Sequence, residues 1–478
     1  MGEKVRKMKC CNEQHRNPSK ILAKETKLIR QDDLKDQRRR KILEEPLLPL
    51  MIKMSVPTVI GMLVMVIYSL TDTFFVGLLN NKAMTAALGI AFSFMSLIQA
   101  IGFWFGYGSG NFMSKKLGKQ EDEEAIVISA VGIVFSVATG FLICALAWTF
   151  RMELVGFMVG ASSDSLFNFT VEYLKVIIIG VPFSLYSITV YSQLRLCGNV
   201  KDATVGLMMG IFANMLLDPL FMFMFDCGFV GAGYATLTGQ IVASLSLTIF
   251  SRVHGNIPVS LKFSGYSKKR MYHILAGGLP NFARQAIASF ALILVNKSAS
   301  DFGAGVLAAL TISSRIVAVA YLIVIGWGQG FQPICAMNYG AEKFERVKSA
   351  FKLSVSIGTG FLFISAVVLY IYSSQLVALM TGDEKVIYVA TQMLKLQCIT
   401  LPLLAYYALS SMLMQNTGRY FDSLTISISR QGLFYIPLLY LLIGLYGVWG
   451  IYLLQPVSDV FSFGLAYVIL KKQRLNTT

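Results

Sequence analysis

Asn214 and Asp218 lie four residues apart in the apolar stretch Ala203 to Phe225, with Pro219 directly after the carboxylate. That spacing puts an amide and a carboxylate on one helix face, a turn apart. A carboxylate inside a run that otherwise reads as membrane-spanning is expensive to bury, and by default it marks an ion or substrate pathway. Asp72, in an earlier apolar run, and Thr236, in a later one, extend the set. Two carboxylates, an amide oxygen and a hydroxyl are hard oxygen ligands suited to a small cation, so a metal ion expected here is Na+. Two desolvated carboxylates held close together could carry a proton instead. The coupling ion is therefore Na+ or H+, and the same oxygens serve both. Pro219 cannot donate a backbone hydrogen bond to the Met215 carbonyl, which permits a bend beside the site. The competing role for the acids is to pack helices, capped by neighbouring hydroxyls.

The elements that must position these groups are membrane helices. The chain of 478 residues is 55% hydrophobic and 14% charged, with a mean hydropathy of +0.62, too apolar for a soluble protein of this size. Apolar runs of roughly 20 residues or more, enough to cross a hydrocarbon core of about 30 Å, recur after residue 50. The alternating ten-residue segments of a membrane barrel are absent, so the fold class is all-α. Twelve helices are expected, near 50–77, 85–113, 125–150, 166–196, 202–225, 230–252, 271–299, 304–337, 347–373, 386–416, 421–444 and 447–471.

Residues 1–53 carry 15 Lys or Arg against 8 Asp or Glu and read as a disordered or partly helical basic leader. With the first apolar run beginning near Leu47, no cleavable signal peptide of the usual pattern is expected. The leader sets topology, or contacts anionic lipid with help from acylation at Cys10 and Cys11. Positive charge follows the even-numbered helices: SKKLGK after the second, Arg195 and Lys201 after the fourth, Lys262 and Lys268 to Arg270 after the sixth, Lys343, Arg346 and Lys348 after the eighth, and KKQR after the twelfth. The opposite connections hold little beyond Lys82, Arg151 and Lys385. The positive-inside bias makes both termini and the central loop cytoplasmic. The organisation expected is a basic tail at 1–46, a first lobe at 47–252, an inter-lobe loop at 253–270, a second lobe at 271–472 and a short cytoplasmic end at 473–478.

The two lobes repeat each other. At an offset of 222, Ala86, Ala87, Leu88, Gly106, Gly108 and Gly118 meet Ala308, Ala309, Leu310, Gly328, Gly330 and Gly340. At 220, Leu174, Lys175, Pro182 and Gly198 meet Leu394, Lys395, Pro402 and Gly418. Six helices per copy insert both copies in the same sense, so the repeat is parallel, about a pseudo-twofold along the membrane normal, with substrate between two rocking lobes.

The duplication is asymmetric in chemistry. Asp72, Asn214, Asp218 and Thr236 fall opposite apolar or aromatic residues such as Phe434, Leu438 and Tyr452. At about 1.5 Å per residue, Asp72, Asp218 and Thr236 each lie roughly 12 Å below the outer turns. The second lobe has its own intramembrane polar residues. Arg284, Arg315, Arg430 and Gln332 are candidates for substrate binding or gating, and the competing reading makes Arg430 and Asp459 a structural pair. Abundant Met and Phe (22 and 33) suit an adaptable cavity for apolar cations, although most must face lipid or core.

YSLTDTFFVG in the first helix, NMLLDPLF in the fifth, GAGYAT opening the sixth and GWGQGFQPICAMNYGAEKFERVK from the eighth into the ninth resemble the multidrug and toxic compound extrusion (MATE) family, over about residues 47–472. Within it the chain is similar to the prokaryotic type whose cation site lies in the first lobe. The resemblance implies that Asp72, Asn214, Asp218 and Thr236 bind Na+ or H+, and that the protein is a two-lobed antiporter expelling amphipathic organic cations. Another branch places an acid in the seventh helix; Ala288 and Ser289 stand there in this chain, with Arg284 a turn earlier. Ser69 stands where the family often has Asn, which bears on the hydrogen bonding of Asp72.

The function expected is secondary active export by alternating access, at the plasma membrane, by a monomer in contact with lipid, without cofactor and without nucleic acid. The alternative is a lipid or lipid-linked precursor flippase of a related fold, which needs a strongly cationic central cavity. No P-loop, nucleophile motif or metal cluster appears, so the protein is not expected to be an enzyme. The seven cysteines and three histidines have no metal-ligand spacing.

Overall fold

The architecture is that of a computed structural model, which describes residues 33–160, 163–254, 256–257, 259 and 266–475. Residues 1–32 with Cys10 and Cys11, Lys262 of the central loop and residues 476–478 lie outside the described residues.

Among the described residues twelve spans follow one another, one of them a bent pair of helices: α1 (Leu47–Gly77), α2 (Lys82–Gly118), α3 (Asp122–Thr149), α4 (Asp164–Leu196), α5 (Val200–Pro219, continuing as a π turn over Leu220–Met224) and α6 (Gly228–Ser251) form the first lobe. The second holds α7 (Lys268–Ser300), α8 (Ala304–Gly340), α9 (Phe344–Ile371), α10 (Glu384–Thr400 and Leu403–Thr417), α11 (Tyr420–Tyr446) and α12 (Val448–Leu475). The local chemistry explains several ends. Asn81 caps α2 through bonds from the amides of Ala83 and Met84 (2.9 and 3.4 Å), and Asp383 caps α10 in the same way. Asp122, Glu123 and Glu124 fill the first turn of α3, where the helix dipole favours acids.

The tenth helix is not the single straight run expected over 386–416. It bends by 55° between Thr400 and Leu403, where Pro402 cannot donate to the preceding turn. Two π turns interrupt other spans. One, Leu220–Met224, follows Pro219, and the other is Ser429–Leu433 in α11.

The repeat is visible in the backbone. Gly198 and Gly418, matched in the sequence, both close a span in the left-handed region (φ +87° and +90°), where glycine avoids a Cβ clash. Gln120 and Glu342, 222 residues apart, share φ near +60° in the turns after α2 and α8.

Among the described residues the core shared by the lobes lies at one end. Residues from both lobes, among them Leu50, Met113, Ile274, Phe331 and Met337, join in one core there with Ile42 of the N-terminal helix. Toward the other end the cores separate, one built from Val76, Leu88, Tyr173 and Met222, the other from Ala291, Leu310, Leu394 and Tyr452. The shared end carries Lys115, Lys116, Lys343 and residues 268–270, and is called the basic end below.

Glycine lets the backbones touch at that seam. A Cβ on Gly118 would stand 2.2 Å from the Met337 carbonyl, and one on Gly340 would stand 2.1 Å from the Lys115 carbonyl. These contacts are reciprocal under the offset of 222, as a twofold interface requires. Gly108 against Ile274 and Gly278 against Trp104 are closer still, at 1.8 Å each.

The leader is more ordered than a solvated tail over the part described. Residues 33–44 are helical and lie across the basic end. Lys35 pairs with Asp122 (2.6 Å), and Arg38 donates to Asn256 (2.7 Å) and to the His254 carbonyl. From the second lobe, Asn338, Lys343 and Arg346 donate to the carbonyls of Ile42, Leu43 and Glu45. Burial pulls the Arg38 pKa below its ordinary value, and the carboxylate of Asp202 pulls against it.

Candidate functional site

The four residues singled out in the first lobe come together. Asp72 sits near the end of α1, Asn214 and Asp218 on the last turns of α5, and Thr236 two turns into α6. All four are buried, Asp218 completely. Asn214 Nδ2 donates to Thr236 Oγ1 over 3.2 Å. That contact depends on close helix packing: a Cβ on Gly239 would lie 2.9 Å from the Asn214 Cβ, and Gly210 faces the Gly239 carbonyl at 2.5 Å. Small residues one turn apart thus draw α5 and α6 together and set the amide against the hydroxyl.

Asp72 and Asp218 come within each other's reach, with the phenol of Tyr68, one turn before Asp72, beside them. Tyr173 of α4, fully buried, closes the site next to Thr236. Neither oxygen of either carboxylate has a hydrogen-bond partner, nor do Asn214 Oδ1 and the Tyr173 hydroxyl. A buried polar group left unsatisfied costs about 1–3 kcal/mol, and a charged one more. The arrangement can accept a proton or a hard monovalent cation, which would supply the missing interactions. Among the described residues no three of His, Cys, Asp and Glu converge.

Ser69 does not support Asp72. It is exposed, its carbonyl accepts from Thr73, and Asp72 has no hydroxyl bonded to it.

The second lobe resolves its carboxylate in the opposite way. Asp459 of α12 accepts from Arg430 Nε (2.7 Å), Gln455 Nε2 (2.7 Å) and Thr400 Oγ1 (3.2 Å). Arg430 also lies over the Tyr321 ring at 5.1 Å. Arg284 is half-buried on α7 and close to Tyr407. Arg315 is exposed on α8 and has no ion pair among the described residues. Gln332 lies apart from these three, in the seam between the lobes. There it accepts from Arg195 Nη1 (3.0 Å), which also donates to the Gln329 carbonyl (2.8 Å). Arg195, which the charge pattern counts with the positive residues following the fourth span, sits on the last turn of α4 and is fully buried.

The comparisons with known proteins bear on the family and the fold. The MatE family profile matches residues 57–220 and again 280–441, once in each lobe. The chain belongs to the MatE family. The multidrug export protein MepA of Staphylococcus aureus (strain MRSA252) is 25% identical over 451 residues, covering 93% of this chain and 99% of its own. MepA of Staphylococcus saprophyticus is 27% identical over 424 residues, 88% of this chain and 93% of its own. Among solved structures, this MatE chain is similar to one described as the outward-facing conformation of a multidrug resistance MATE family transporter of the MOP superfamily. The TM-score is 0.84 at 22% identity, covering 91% of this chain and 98% of the other. A MOP superfamily transporter from Pyrococcus furiosus, described by the reverse polarity of its binding pocket, gives 0.82 at 23% identity over 90% and 97%. At such identities the likeness is one of fold. It establishes a multi-pass, two-lobed helical membrane protein.

Sequence reasoning missed Tyr68 and Tyr173 in this MatE site, because an aromatic residue in an apolar helix reads as packing. The available signal was helical register: Tyr68 is four residues before Asp72, on the same face. The Arg195 contact had a signal too, in the apolar neighbours Leu194 and Leu196.

Proposed function

We propose that this MatE chain is a secondary active antiporter that exports amphipathic organic cations, drugs or metabolites, driven by entry of Na+ or H+. The observation that carries the reading is the pair Asp72 and Asp218, buried in one lobe with all four carboxylate oxygens unsatisfied. Such a pair gains most from an ion arriving through the gap between the lobes. The export names of the MepA relatives support the substrate class.

In this reading the basic end is cytoplasmic at the plasma membrane, and the conformation with lobes joined there is outward-open. Span α1 links the two parts of the mechanism. Near its start, Ser55 and Thr58 donate to carbonyls of α8 (3.0 and 2.6 Å), and near its end it carries Asp72. Neutralising Asp72 therefore acts on a helix that also ties the lobes, which is the connection alternating access needs. The protein works as a monomer, since each chain contains both lobes.

The test is ion-gradient-driven dye efflux from reconstituted vesicles, with Na+ and pH gradients imposed one at a time. Asp72→Asn and Asp218→Asn should each abolish gradient-driven transport. Undiminished driven efflux in both variants would defeat the coupling claim.

The second reading is flipping of a lipid or lipid-linked precursor. It needs free cationic charge between the lobes, and Arg430 is already committed to Asp459. Of the intramembrane arginines, Arg284 and Arg315 are left to support it, beside the lysines at the basic end.

A further inference from the structure

A cavity of about 560 Å³ lies between the lobes at the basic end, away from the acidic site. Its size is that of a small-ligand pocket. From the first lobe it is lined by Lys115 and Lys116 of α2 and by Lys119 just after it, and from the second by Lys269, Arg270 and His273 of α7. Two acids stand against these cations, Glu124 and Glu342. Glu124 is engaged by Arg270, whose Nε and Nη2 both donate to it at 2.8 Å. Lys116 is paired with Glu121 outside the lining. Lys115, Lys119 and Lys269 have no carboxylate partner among the described residues. Lys115 is the most committed to the cavity, for it reaches across the seam to the Tyr420 hydroxyl (3.3 Å) and ring (5.2 Å).

A second observation is independent of the side-chain count. Span α7 begins at this cavity with no side-chain cap and no acid in its first turn, which instead holds Lys268, Lys269 and Arg270. A helix start carries partial positive charge and unpaired amides, so cations there are unfavourably placed and anions favoured. Cationic side chains and helix end together leave one unmet requirement, a multiply charged anion.

We propose that this inter-lobe cavity binds a phosphate-bearing anion, held by Lys115 and Lys119 from one lobe and by Lys269 and the first turn of α7 from the other. Lysine meets phosphate as a point charge and the helix amides supply directed donors. Since the walls belong to different lobes, the bound anion bridges them and favours the conformation closed at the basic end. The phosphate can come from a phospholipid headgroup or from a soluble phosphorylated solute.

The experiment uses the full chain. In one arm, purified protein in neutral detergent is titrated with inorganic pyrophosphate. In the other, phosphatidic acid is increased stepwise in phosphatidylcholine nanodiscs. Thermal unfolding is read in both, with the distance between spin labels at positions 123 and 348 on the two lobes. The expected result is saturable stabilisation by at least one probe together with a narrower, shorter distance distribution. The Lys115→Gln/Lys269→Gln variant should need at least tenfold more ligand, Lys119→Gln should weaken binding less, and Lys352→Gln, exposed and outside the cavity, should match the parent. Response to pyrophosphate assigns a soluble ligand, and response to phosphatidic acid alone assigns the lipid. The unliganded unfolding temperature of each variant reports its folding, and Lys119→Gln, at an exposed position, keeps the test valid should the double variant not fold. The proposal is overturned if neither probe stabilises the parent, or if the cavity variants respond as the parent does.

Discussion

Asp72 and Asp218 approach each other from α1 and α5 with no hydrogen bond to any of their four carboxylate oxygens. Two uncompensated acids in one buried site oppose folding unless a proton or cation intervenes. Asp218→Asn should therefore leave the unfolding temperature unchanged or raise it in the absence of added Na+, while driven efflux falls at least tenfold. A melting curve beside a vesicle efflux assay checks both, and a large loss of stability would mean that the carboxylate is structural.

Asp459 should behave in the reverse sense. Its donors are Arg430, Gln455 and Thr400, so Arg430→Ala leaves a buried carboxylate without its counter-charge, at about 3–5 kcal/mol. The Arg430→Met/Asp459→Leu double variant should recover most of that loss. Denaturation of the four members of the cycle measures the coupling directly.

At the seam, Gly108→Ala would place a methyl 1.8 Å from the Ile274 carbonyl. The lobes must part there, at about 1–3 kcal/mol for an overpacked contact. Spin labels at positions 123 and 348 should report a longer and broader distance than in the parent.

Helix 33–44 is tied to the second lobe by Arg346, which donates to the carbonyls of Ile42 and Glu45. Arg346→Ala should lower amide protection across 33–45 by about 1.5–3 kcal/mol, the range for a charged hydrogen bond. Hydrogen exchange read by mass spectrometry should show the change confined to the basic end, with α1 near Asp72 unaffected.

Much of this was legible in the sequence. Hydropathy and the even-helix charge pattern outline twelve spans, and the aligned Pro182 and Pro402 reveal two copies. The cost of an intramembrane carboxylate marks Asp72, Asp218 and Asp459 alike, and only their partners tell them apart. What escaped depends on partners distant in the chain. Arg195 carries its charge toward Gln332, 137 residues on, and charge near the end of a span reads as topogenic. Tyr173 is indistinguishable from a packing aromatic until α6 is set beside it. The bend after Thr400 had its signal in Pro402, yet the matched Pro182 sits inside an unbroken α4, so proline alone does not decide.

The reciprocal glycine contacts have a mechanical consequence. Where Gly118 rides on Met337 and Gly340 on Lys115, main chain lies directly against main chain. Side chains of both lobes, Met113 and Met337 among them, pack around these contacts in the shared core. The joint is a close backbone seam, fastened by separate pins such as Arg195 and helix 33–44. A change at those pins alters how firmly the lobes are joined while leaving the glycine contacts themselves as they are.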